Sequence, residues 1–311
     1  MKRLYHYPLM LLLTVLEVLS LIGFECSYFA QNVLFKPDIY TAAISDEKIG
    51  QVIYDDLCEY FTQFSMPTGI PAEVFTDALD VNYLEQCAKN TISDSLAYLT
   101  NPNATKPKIQ YDFTSLDNSI TTYIETYSDE NGIERDDEYQ KLLDNTIKTS
   151  HEQIITKLDV LLLCQFADSS LAPKLHQYSG YINFAVLCTG AASIFFLLVM
   201  IIADIKHPRD LPYWVGTILM CSAVTILIPT IYLKKINYFD SFIIRNMHIY
   251  QTVTGLFRRL LDNVINFQFI TLLIGCCFII LTIIIHLFYV RSVRKKAAAR
   301  YDYDENEESY N

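Results

Sequence analysis

Four stretches of this sequence are too apolar, over too great a length, to be at home in water. They cover residues 8–24, 181–203, 211–233 and 267–290, and the last three contain no Asp, Glu, Lys or Arg. A helix needs about 20 consecutive apolar residues to cross about 30 Å of hydrocarbon. Core helices of water-soluble proteins seldom run that far without a charge. The chain is therefore expected to be an all-α membrane protein with four transmembrane helices. Composition agrees: 51% of residues are hydrophobic and 19% charged, against about 25% charged in soluble domains.

The first stretch follows Lys2 and Arg3, so it also has the outline of a secretory signal. Cleavage needs small residues three and one before the cut. Tyr28 stands two residues before Ala30, and Gly23-Phe24-Glu25 before Cys26 does not suit lipid attachment. The expectation is an uncleaved signal-anchor.

Positive charge sets the orientation, because cytoplasmic flanks collect Lys and Arg. Lys2 and Arg3, then Lys206 and Arg209, then Arg291, Arg294, Lys295, Lys296 and Arg300 fall on one side of a four-span chain. Lys234, Lys235, Arg245, Arg258 and Arg259 oppose that pattern. Segment 30–180 carries 24 acidic and 10 basic residues, within a net charge of −11 for the chain. It is expected outside the cytoplasm, in a multi-pass protein of the cell membrane with both termini cytoplasmic.

The resulting plan has six parts. Residues 1–29 form the N-terminus and first span. Residues 30–180 form an acidic extracytoplasmic helical bundle inserted between the first and second spans. Residues 181–233 hold the second and third spans, 234–266 an amphipathic outer loop, 267–290 the fourth span, and 291–311 a basic and then acidic tail without apolar periodicity.

Spacings of three and four residues predict the bundle's helices. Ile49, Val52, Ile53, Leu57, Phe61 and Phe64 form one stripe, ended by Met66-Pro67-Thr68-Gly69-Ile70-Pro71, with Pro71 opening the next helix. Asp80 caps a second stripe of Leu84, Cys87, Ala88, Ile92, Leu96 and Leu99. Leu116, Ile120, Tyr123, Ile124 and Tyr127 make a third. A long helix is predicted from Asp136 to about Phe166, interrupted by Pro173. In the outer loop, Met247, Tyr250, Leu256, Phe257, Leu260 and Leu261 follow helical spacing. That face suits either the membrane surface or the base of the acidic domain.

Catalytic signatures are missing. The six histidines are scattered, no Cys-x-x-Cys pair occurs, and no nucleophile elbow or glycine-rich phosphate loop is found among only nine glycines. Neither enzyme activity, a cofactor nor a metal site is expected, and an acidic chain is a poor partner for nucleic acid. Of the eight cysteines, Cys58 and Cys87 fall on successive predicted helices, where a disulfide or two reduced thiols are equally consistent. Asn103-Ala104-Thr105 fits the N-glycosylation pattern.

Glu17 is the candidate functional residue in the membrane. A carboxyl near the bilayer centre is costly unless a group such as Thr217 or Thr225 bonds it. Gly190-Ala191-Ala192-Ser193 is small enough for close helix contact, within the chain or between copies in a homo-oligomer. The leading expectation is a regulatory, sensor or scaffolding membrane protein whose outer domain binds a protein partner or ligand. The alternative is a channel or transporter subunit that uses Glu17.

Overall fold

The computed structural model describes residues 2–101, 103–106, 109–205 and 208–308, with side chains for 7–294 among these. The expected charge clusters at Lys2 and Arg3, at Lys206, and from Lys295 to Arg300 lie outside the described residues or side chains. Every regular element is helical, with no strand among the described residues. Four helices are long and apolar enough to cross a membrane. The chain divides into two compact units, one built from 1–28, 184–236 and 261–311, the other from 29–183 and 237–260.

The apolar unit contains α1 (Lys2–Phe29), most of α9 (Ala172–Ala203), α10 (Leu211–Lys235) and the greater part of α11 (Met247–Glu308). Only 6% of the apolar window of α9 and 11% of that of α11 is buried within the chain. A water-soluble core helix would hide most of that surface. Here Leu19, Phe184, Leu187, Ile194, Ile202, Ile270 and Phe288 point outward, while Thr14, Glu17, Glu25, Ser222 and Gln268 are buried. Such an arrangement, greasy outside and polar inside, suits a hydrocarbon solvent.

Antiparallel helix α9 packs along α1, where Gly190 faces the Phe24 ring and Gly23 faces Thr189. Antiparallel α10 and α11 meet at Gly216 and Gly275, where a Cβ on Gly216 would lie 3.0 Å from the Gly275 carbonyl oxygen. Small residues allow this backbone approach. Arg209 stacks on Tyr289 at 3.8 Å toward one end of that pair, and Lys234 pairs with Asp262 toward the other.

In the polar unit a π-helical turn (Ala30–Leu34) leads to α2 (Pro37–Asp46), which opens on proline. Next come α3 (Ile49–Thr68), α4 (Glu73–Thr76), α5 (Val81–Thr100), α6 (Thr114–Asn131), α7 (Asp137–Leu158) and α8 (Leu163–Asp168). Ile49, Ile53, Leu57 and Phe61 of α3 are fully buried against Leu84, Ala88 and Ile92 of α5, Ile120 of α6 and Ile154 of α7. Phe61 and Phe75 stack with centroids 4.5 Å apart. The Asp80 carboxylate caps α5 by accepting from the Tyr83 N–H at 3.0 Å. Asp136 caps α7 by accepting from Glu138 and Tyr139.

Several boundaries differ from the sequence pattern. Pro67 lies inside α3, which ends at left-handed Gly69 instead. The helix after that turn begins at Glu73, not Pro71. The long helix predicted to Phe166 stops at Leu158, because the buried Asp159 carboxylate turns to accept from the Cys164 and Gln165 N–H groups and so caps α8. Pro173 lies in the first turn of α9, starting that helix rather than interrupting its predecessor. Leu142 and Leu143 both fit the helical spacing of α7, but Leu142 is exposed and Leu143 takes the core position. The tail expected to be irregular continues α11 to Glu308, over a sequence with no glycine or proline to stop it.

Gly50 is where α3 and α5 touch. A Cβ there would stand 2.7 Å from both the Val81 carbonyl oxygen and Glu85 Cβ. Backbone cannot yield as a flexible side chain can, so Gly50→Ala is expected to destabilise the polar unit by about 1–3 kcal/mol. A lower thermal midpoint for the detergent-purified variant checks this; an unchanged midpoint would show that the helices separate freely.

Candidate functional site

Two clusters of buried polar side chains stand out, one in each unit. In the apolar unit Glu17 is 2% exposed. The Ser193 hydroxyl donates to its Oε1 at 2.6 Å, while Oε2 has no hydrogen-bond partner. The partners expected from sequence are engaged elsewhere: Thr217 donates to the Tyr213 carbonyl and Thr225 to the Cys221 carbonyl, each within α10. Ser193 belongs to the small-residue patch of α9, so that patch supplies a hydrogen bond as well as close packing. One turn away, the Ser20 hydroxyl donates to the Thr189 carbonyl at 3.1 Å.

A second buried carboxyl was not anticipated. Glu25, 5% exposed, accepts from Gln268 Nε2 at 3.1 Å. Gln268 Oε1 is buried without a partner. Glu25 lies just past the uncharged run of the first span, and Gln268 carries no charge, so a search for ionisable residues within apolar blocks passed over both.

In the polar unit, the chain between the third and fourth spans folds onto the bundle. Leu256 and Leu260 bury against Ile39 and Ala43 of α2, with Phe29, Val33 and Phe257 alongside. Of the two expected fates of this amphipathic segment, docking on the acidic domain is the one adopted. Ion pairs frame the contact. Arg258 reaches Glu47 at 3.4 Å and Asp240 at 2.7 Å, and Arg259 pairs with Asp46. Deeper in, the His248 Nδ1 lies 2.5 Å from Asp56 Oδ2, and Lys157 Nζ lies 3.2 Å from the same oxygen. His248 is 2% exposed, so its imidazole is enclosed between α11, α3 and α7.

Cys58 and Cys87 are separate thiols. Cys87 faces the core of α5, whereas Cys58 sits one residue past the core position of Leu57 and is partly exposed. Cys164 instead meets the Ser95 hydroxyl at 3.2 Å, and burial pushes its thiol above the usual range. Nearby Tyr111, bonded to Thr91 at 2.9 Å, is pushed up to about 12 by burial. These side chains are packed and neutral, without the exposed, electropositive setting that activates a nucleophile. Among the described residues no group of three or more His, Cys, Asp or Glu could hold a metal ion. Asn103 of the glycosylation pattern is exposed in the α5–α6 loop.

The chain matches no protein-family model, and neither a curated protein nor a solved structure matches it. Chemistry at these clusters must be argued from their own geometry.

Asp56 holds the Lys157 ammonium and the His248 imidazole, whose pKa burial lowers, so its loss strands both. Asp56→Ala is expected to cost about 1.5–3 kcal/mol, the scale of hydrogen bonds to charged groups. Arg259→Ala removes an exposed pair and should cost under about 1 kcal/mol. Thermal unfolding, with protease cleavage between 237 and 246 as a local readout, checks the contrast; equal effects would refute the ranking.

Proposed function

We propose that this chain is a multi-pass membrane protein whose acidic helical domain stands outside the cytoplasm and binds a protein partner, in a regulatory, sensing or scaffolding role. Both termini then lie in the cytoplasm, as the positive flanks of the spans suggest.

The observation that carries the reading is the acidic surface at the α6–α7 turn. Asp129, Glu130, Glu134, Asp137 and Glu138 are all exposed there. The basic residue among them, Arg135, is held by Asp129 at 2.8 Å and Glu125 at 3.6 Å. Ile133 and Tyr127 project into this acidic surround, 47% and 51% exposed. Apolar anchors ringed by charge make a protein-recognition surface. The ring is negative, so the matching partner surface is basic. By contrast, Asp46, Glu47 and Asp56 are answered by cations of the chain itself.

A pull-down in mild detergent should recover a partner whose retention weakens with salt and is lost in Glu130→Lys/Glu134→Lys. Recovery of this protein alone would sink the reading. Orientation is checked separately by labelling Asp94→Cys with an impermeant maleimide, against the unsubstituted chain; Asp94 is exposed on α5. Labelling only after the cytoplasmic face is opened would reverse the topology.

A second reading, a channel or transporter subunit, draws on the half-satisfied Glu17. Liposome flux that Glu17→Gln leaves unchanged would remove it.

A further inference from the structure

We propose that Glu17 and Glu25 are proton-binding sites within the membrane unit, each loading and releasing one proton against a partner that can serve either state. The claim concerns binding, and it stands whether or not the chain moves protons across the bilayer.

Location comes first. Glu17 lies 10 residues into the Tyr7–Leu34 span and Glu25 lies 9 residues before its end. At about 1.5 Å per residue, Glu17 is about 15 Å from the start of that span, and Glu25, just past the apolar run 8–24, is about 12 Å further along the axis. Both are at least 95% buried, so water does not solvate them directly.

Counter-charge comes next. Among the described residues neither carboxyl has a Lys, Arg or His within ion-pair distance. Against Glu17, α9 presents Ser193; against Glu25, α11 presents Gln268. The titratable neighbour of Glu25 is the Cys26 thiol on its own helix. Lys234 of α10 and Asp262 of α11 are paired with each other. An ionised carboxylate buried so far from any cation is strongly disfavoured, and a bound proton removes the charge.

The partners then distinguish an exchangeable proton from a fixed one. A hydroxyl and a carboxamide are side chains that can both donate and accept. Ser193 donates to an ionised Glu17 and can accept from the acid by rotating its O–H. Gln268 donates Nε2–H to an ionised Glu25; turning its amide over presents Oε1 to the O–H of the acid. Which amide atom faces Glu25 is decided by that hydrogen-bond network. At these two sites the buried atoms without partners, Glu17 Oε2 and Gln268 Oε1, are one oxygen of the first carboxyl and the acceptor that a protonated Glu25 would use. Loading adds H⁺ to one carboxylate oxygen, delivered by hydronium that leaves as water; release reverses the step, and no bond between heavy atoms changes.

Between the two stations the Ser20 hydroxyl and Thr189 continue a polar seam along the α1–α9 contact. No charged residue interrupts it.

Infrared difference spectroscopy of the full chain in liposomes reads the carboxylic acid C=O stretch directly. Buried acids absorb apart from solvated ones because nothing in water bonds their carbonyl. Between acidic and alkaline buffer, the wild-type protein should show buried-acid bands that vanish and return reversibly. Glu17→Gln should delete one component and Glu25→Gln the other. Ser193→Ala should move the midpoint of the Glu17 band and leave that of Glu25 in place. Should a glutamine variant fail to fold, the matching aspartate variant, which should shift the band of that site alone, separates it from other buried carboxyls such as Asp159. Buried acid at every pH, or carboxylate at every pH, overturns the proposal. So does a carboxylate band that responds to sodium or potassium at fixed pH with no acid band present, which would make the ligand a metal cation. Because the measurement uses the isolated chain, its result is independent of whether any partner binds the acidic surface.

Discussion

Hydrocarbon offers a buried polar group nothing to bond with, and that constraint orders the whole molecule. Backbone N–H and C=O groups inside a bilayer must satisfy one another, which leaves the helix as the means for a single segment to cross. The apolar unit obeys: its four long helices close their own ladders and turn their apolar side chains outward. The polar unit obeys the opposite rule, with Ile49, Ile53, Leu57 and Phe61 turned inward. Helix α11 is subject to both. Leu256 and Leu260 pack inward in the polar unit, whereas Phe269, Ile270 and Leu273 of the same helix face outward.

Buried charge is handled differently in the two settings. Where the polar unit encloses Asp56, it supplies His248 and Lys157 on the same carboxylate oxygen. Where the apolar unit encloses Glu17 and Glu25, it supplies a hydroxyl and an amide. Breaking a buried ion pair strands a charge. Changing the protonation of a carboxyl beside an amphoteric partner strands much less, because the partner reorients. The first arrangement fixes a contact; the second leaves a group free to titrate. A carboxyl group is thus put to different work by what stands next to it.

These distinctions explain what was legible in the sequence. The spans were, because hydrophobic length is a local property. So were the faces of α3 and α5, since a stripe at spacings of three and four names its own buried residues. The end of α7 was not. Asp159-Val160-Leu161-Leu162 contains no breaker, and its turn depends on a carboxylate folding back to cap α8. Leu142 and Leu143 both fit the α7 pattern, and only packing decides between them. The polar contacts are harder still: Glu17 meets Ser193 across 176 positions, Glu25 meets Gln268 across 243, and Asp56 meets His248 across 192. No window of sequence contains such a pair. Glu17 announced itself by interrupting an apolar run; the residue that answers it did not.

The segment from 237 to 260 shows how charge resolves an ambiguity that periodicity cannot. An amphipathic helix with arginines on its flank fits an anionic lipid surface as well as an acidic protein surface. Its apolar face would be content in either place. The arginines are more selective: Arg258 and Arg259 meet Glu47, Asp240 and Asp46, and His248 enters to meet Asp56. Several carboxylates placed to receive them are not an accident of a negative domain, because the same helix also presents Gly255, whose missing side chain leaves room for Glu47. A Cβ there would stand 2.5 Å from Glu47 Cγ. Shape and charge therefore select one docking site together, whereas a fluid lipid surface has no fixed shape to match.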